Sequence, residues 1–141
     1  MDDEYELRPG KLIQASDQCR IIISFREKFR TKLVDWQQPT WTIFPESTLT
    51  APPSVLERLE VPRTEQLLIL WEFPPPGQVR ITSIRDAIDY FHKTTPKQSF
   101  SRNPAYLFTN SLNWCIAYTP EYWAPEDLLV LWGPVPLKAL G

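Results

Sequence analysis

The sequence predicts an α+β fold: an antiparallel sheet, built from a C-terminal three-strand meander plus one or two further strands, with two main helices packed on one face. Two stretches in the first hundred residues carry apolar side chains at helical spacing, and apolar runs of strand length cluster in the last third. Helices that precede a block of strands favour a segregated α+β arrangement over an alternating α/β one. The chain has 141 residues, 43% hydrophobic and 23% charged, which suits a single folded core. Its 15 prolines against four glycines imply short elements with stiff connections, since proline fixes φ and removes a backbone donor.

Residues 1–15 open on Met1-Asp2-Asp3-Glu4-Tyr5-Glu6, with a turn signal at Pro9-Gly10, and read as an acidic N-terminal tail or one short strand. A single domain is expected over 16–141. The first helix is expected at 17–35, with Ser16 or Asp17 as its cap. Ile22, Phe25, Phe29, Leu33 and Trp36 fall within an arc of about 80° on a helical wheel, which makes a core-facing stripe. The β-branched run Ile21-Ile22-Ile23 would also suit a strand. Between Pro39, Pro45, Pro52 and Pro53 there is room for a brief strand at Thr40–Phe44, followed by a short helix at Val55–Leu59.

Leu67–Phe73 is apolar almost throughout and reads as a buried strand, with an amphipathic helix as the alternative. Val79-Arg80-Ile81 reads as a strand tip. Ser83 followed by Asp86 makes a capping-box-like start to a second helix, in which Ile84, Ala87, Ile88 and Phe91 share one face up to about Lys93. Tyr106–Thr109 and Trp114–Thr119 flank the turn chemistry of Asn110-Ser111-Leu112-Asn113, and Asp127–Trp132 makes the third strand of the meander.

The sequence holds little that does chemistry. One histidine, His92, and two separated cysteines, Cys19 and Cys115, fall short of a zinc ligand set, so no metal site is expected. Neither phosphate-cradling glycine pattern occurs, and no cofactor is expected. Cys19 and Cys115 read as buried free thiols of a reducing compartment, so the expected localisation is cytoplasmic. The acidic N-terminus lacks a signal-peptide layout, and no apolar run reaches the roughly 18 residues that span a bilayer, so no membrane partner is expected.

Two surfaces carry a recognition signal. Glu121, Tyr122, Trp123, Glu126 and Asp127 join acids and aromatics on a proline-stiffened loop, where large side chains supply contact area at small entropic cost. Arg20, Arg26, Lys28, Arg30 and Lys32 line the outer side of the first helix, with Arg26 and Arg30 as a second contact patch. The net charge of −2 makes nucleic acid the less favoured partner.

Phe108-Thr109-Asn110-Ser111-Leu112-Asn113-Trp114-Cys115-Ile116-Ala117-Tyr118-Thr119-Pro120-Glu121, followed by Asp127-Leu128-Leu129-Val130-Leu131-Trp132-Gly133, resembles the C-terminal hairpin of small bacterial toxin-immunity proteins. In those families a strand carries Trp, a Thr-x-Glu step follows, and an apolar strand ends near Gly. The resemblance implies a cytoplasmic protein that blocks a cognate toxin and does no chemistry itself. The expected function is therefore non-enzymatic protein binding, by an inhibitor or immunity protein. The alternatives are a nucleic-acid-associated module using the basic helix 17–35, and an enzyme with a site near His92 or Glu121–Asp127.

Overall fold

The computed structural model describes residues 8–29, 49–71, 77–94, 105–118 and 128–139. Among them the strands form one seven-stranded sheet: β1 (Lys11–Leu12), β2 (Leu49–Ala51), β3 (Leu67–Trp71), β4 (Gln78–Ile81), β5 (Ala105–Thr109), β6 (Cys115–Tyr118) and β7 (Leu129–Trp132). The spatial order is β1-β4-β3-β5-β6-β7-β2, with every neighbouring pair antiparallel. The fold is α+β, and β5-β6-β7 is the expected meander. Four further strands join it where one or two were expected. Leu67–Trp71 is strand, which decides between its two readings. β4 and β5 both pair with β3, so they run parallel to each other with β3 between them, and helix α2 (Ile84–Thr94) connects them.

The central strands explain the layering. Successive side chains of a strand point to opposite faces, yet all five residues of β3 and all five of β5 are buried. Such strands need cover on both sides. One face presents Leu67, Ile69, Trp71, Leu107, Ile116 and Leu129 to Ala87, Tyr90 and Phe91 of α2, and to Val55 and Leu56 of a 3₁₀ helix at Pro53–Arg58. The other presents Leu68, Leu70, Val79, Tyr106, Phe108 and Val130 to Ile22, Phe25 and Phe29 of helix α1 (Ala15–Phe29). The expectation of two helices on one face is therefore corrected: α1 and α2 lie on opposite faces, and the sheet is the middle layer.

Phe25 anchors the α1 side, its ring centroid 4.7 Å from that of Phe29, 4.8 Å from Phe108 and 5.2 Å from Tyr106. Ser83 caps α2 as expected, its hydroxyl accepting from the Asp86 N–H at 3.1 Å. α1 starts at Ala15, so Ser16 and Asp17 sit inside its first turn, and the Gln18 amide closes the entry by donating to the Ile13 carbonyl at 2.8 Å. The short helix expected at Val55–Leu59 is a 3₁₀ helix over Pro53–Arg58, directly behind Pro52, with Val55 and Leu56 buried.

Of the two readings of 1–15, the short strand is present, as β1 at Lys11–Leu12. Arg8 is 4% exposed and β1 pairs with β4, so residues 8–15 belong to the domain. Gly10 permits this approach with a φ of +83°; a Cβ there would stand 2.0 Å from the Ile81 carbonyl oxygen. Cys115 is buried, but Cys19 is exposed, which corrects the expectation of two buried thiols. Residues 1–7, 30–35 of the expected first helix, and the strand expected at Thr40–Phe44 lie outside the described residues.

Candidate protein-binding surface

Helix α1 turns one stripe inward and the opposite one to solvent, as a 3.6-residue period requires. With Ile22, Phe25 and Phe29 buried, Arg20 and Glu27 point most directly outward, and Ile23 lies to one side of them, 52% exposed. Cys19, Arg20 and Glu27 are exposed around it, and Arg26 is half-buried beside it. The basic character of this face is partly spent within the molecule. Arg20 pairs with Asp17 at 3.3 Å, and the Lys28 ammonium stands 5.9 Å from the centre of the Trp132 ring.

Beside this face lies a half-open cleft of about 340 Å³. Arg20, Ile21 and Ser24 form its helical wall, Gln66 precedes β3, Asn110 and Leu112 come from the β5–β6 turn, and Leu68 and Phe108 make the floor. The turn is built tightly against the start of β3. The Gln66 N–H donates to the Asn110 side-chain oxygen at 2.9 Å, and the Asn110 N–H donates to the Gln66 carbonyl at 3.1 Å. The Leu112 N–H donates to the Thr109 carbonyl at 2.9 Å, and the Thr109 and Ser111 hydroxyls stand 2.9 Å apart. Leu112 sits in the left-handed region with φ of 59°, a conformation costing a residue with a Cβ on the order of 1–2 kcal/mol.

A second polar cluster holds the N-terminal segment. The Arg8 guanidinium lies 4.7 Å from the centre of the Trp71 ring and donates to the Gln78 side-chain oxygen at 3.0 Å. Arg80 donates to that same oxygen at 3.1 Å and to the Arg8 and Gly10 carbonyls, each at 3.3 Å. Burial, and then the neighbouring Arg8 charge, lower the Arg80 pKa from its ordinary value. The cluster fastens β1 and its approach to β4.

His92 lies in the last turn of α2, where helix polarity favours it. Its Nε2 is 3.8 Å from the Glu57 carboxylate, beyond hydrogen-bond range, and the two side chains are 40% and 68% exposed. Both side chains of the pair reach solvent. Among the described residues no group of three or more His, Cys, Asp and Glu side chains is arranged to hold a metal ion. No helix of the described residues is long and apolar enough to cross a membrane.

Of the sequence-selected contact residues, Arg26 lies on α1 at the edge of the outer face, whereas Arg30, Glu121, Tyr122, Trp123, Glu126 and Asp127 lie outside the described residues. Sequence reasoning missed Ser24, Gln66 and Leu112 as lining groups. The signal at hand was the polar turn Asn110-Ser111-Leu112-Asn113, which the β3–β5 pairing brings against Gln66. Comparison with protein-family models, with curated proteins and with solved structures finds no match for this chain.

Proposed function

We propose that this chain is a non-enzymatic protein-binding domain that occludes its partner, as an inhibitor or immunity protein of the cytoplasm does. The observation that carries the reading is Ile23, an exposed apolar side chain on a helix face that also carries Arg20, Arg26 and Glu27, with a polar cleft along the same helix. A partner that covers Ile23 removes apolar surface from water, while the surrounding charges set register and speed encounter. The cleft's lining supports recognition over catalysis. Its side chains are one guanidinium, one hydroxyl, two amides and four apolar groups, none of which exchanges a proton near neutral pH. The acidic and aromatic residues Glu121, Tyr122, Trp123, Glu126 and Asp127 are proposed as a further contact, suited to a basic toxin, and Arg30 is proposed as a contact together with Arg26.

The test places a photo-activated cross-linker at position 23 and captures partners in the native host. The expected result is one protein cross-linked to wild type. Ile23→Asp should weaken its capture at least about tenfold at an unchanged Tm, since a charge centred in a packed contact costs more than about 1.4 kcal/mol. Trp123→Ala with Asp127→Ala should weaken capture in the same way. Capture of nucleic acid with a steep salt dependence would contradict the reading, because that slope reports phosphate contacts.

A further inference from the structure

We infer that the cleft beside α1 receives the free C-terminus of a partner polypeptide, with Arg20 holding the terminal carboxylate, the Gln66 and Asn110 amides pairing with its last peptide groups, and Ile21 and Leu112 flanking its final side chain. The inference deepens the protein-binding reading and rests on it.

The lining sets the chemistry of the occupant. Among the described residues Arg20 is the only charged one that lines it, so the complementary group is an anion. The guanidinium has five donors in a planar fork that matches a carboxylate, and Asp17 engages it through a single nitrogen. That pair is a solvent-exposed i,i+3 contact, of the kind worth at most about 1 kcal/mol, so a better-placed carboxylate competes with it. Beyond Arg20 the polar groups are neutral. The Asn110 oxygen is taken by the Gln66 N–H, which leaves the Asn110 NH₂ as a donor toward the cleft. Among the described residues the Ser24 hydroxyl and the Gln66 side-chain amide find no hydrogen-bond partner, and each both donates and accepts. Primary amides match the alternating N–H and C=O of a peptide. A phosphate would call for further cations or a nest of backbone N–H groups, and the described lining has one cation.

The apolar members add the side-chain preference. Leu68 and Phe108 are sealed beneath the floor, but Ile21 and Leu112 are half-buried and keep apolar surface at the cleft. Leu112 is held there at a φ that costs a leucine energy, and strain kept at a cleft wall points to a demand of the site. The volume of about 340 Å³ sits at the small end of ligand pockets, which suits a terminal residue and the peptide bond before it. Free chain ends are a recognised target of protein modules, which elsewhere hold them in nests of backbone N–H groups; here the Arg20 guanidinium would take that role.

The probe is a random peptide library displayed with free C-termini on the full chain. Enriched peptides are resynthesised as acids and as C-terminal amides, and their binding is followed by fluorescence anisotropy. Enriched sequences should end in an apolar residue. The amide form should bind at least about tenfold more weakly, as expected for losing a charge-assisted pair. Arg20→Gln should weaken the acid by a similar factor and leave the amide unchanged. Asp17→Asn, which releases Arg20, should tighten the acid about twofold. Leu112→Gly, which the backbone conformation accepts, should weaken it with the turn preserved. Equal binding of acid and amide, or displacement of the peptide by inorganic phosphate at concentrations that leave Arg20→Gln unaffected, would overturn the inference. So would a library without enrichment. If the cross-link at position 23 persists in any of those cases, this inference falls and the broader binding reading stands.

Discussion

Trp71 donates its indole N–H to the Tyr90 hydroxyl at 2.8 Å inside a core where both residues are sealed from water. Replacing Tyr90 with Phe strips the acceptor and leaves a buried donor without its partner, so stability should fall by about 1–3 kcal/mol in chemical denaturation. Unchanged stability would mean that the bond does not form. The two thiols differ just as sharply. Burial pushes the Cys115 thiol well above its ordinary pKa, while Cys19 stands in solvent. A disulfide-exchange reagent should therefore modify one thiol in the native protein and the second only after unfolding. A raised folded pKa means the folded state holds its proton more tightly than the unfolded one. Its stabilisation is complete below the ordinary thiol range and is lost as pH climbs through and above that range. Cys115→Ala should accordingly show a shallower alkaline loss of stability than wild type. Trp71 was legible as core because it sits in an apolar run, and so was Cys115. The exposure of Cys19 was hidden, because its apolar neighbours Ile21 and Ile22 lean to other sides of the same helix.

β1 is only two residues long, and its pairing depends on Gly10. Gly10→Ala drives a Cβ into the Ile81 carbonyl and strains the present φ, so β1 should detach from β4. Hydrogen exchange should then accelerate at the amides of Lys11–Leu12 and Gln78–Ile81 while β5 and β6 stay protected. At the start of α2, Ser83→Ala should cost about 1 kcal/mol, the usual worth of an N-cap. Elements whose cause is local were readable from sequence: the Ser83–Asp86 cap, the α1 stripe, the β5–β6 hairpin. β2 was not, since Leu49-Thr50-Ala51 becomes a strand only through its pairing with Leu129–Leu131 of β7, far along the chain. The candidate cleft was hidden for the same reason. Its polar groups come from α1, from the residue before β3 and from the β5–β6 turn, and only the sheet order brings them together.

The molecule has two cores divided by one sheet, and both depend on β3 and β5. Phe25→Ala on the α1 side and Phe91→Ala on the α2 side should each cost about 3–5 kcal/mol, and each should lower both layers in one transition, because alternate residues of the same strands serve both cores. Two separate transitions by ring-current and far-ultraviolet probes would contradict this. The two-sided cover was available in the sequence: Leu67–Trp71 and Ala105–Thr109 are apolar without alternation, which is the pattern of strands buried on both faces. The expectation of helices on one side followed from the chain order, helices first and strands last, and did not use that pattern. Layering also determines what is left for recognition. α1 is an outer layer, so its far side carries Ile23 to the surface with the cleft at its edge. The most direct measurement is hydrogen–deuterium exchange of the chain with and without its captured partner. The account predicts slowed exchange over Ala15–Phe29 and in the turn after β5. Slowing confined to α2 and the 3₁₀ helix around His92, with α1 unaffected, would contradict it.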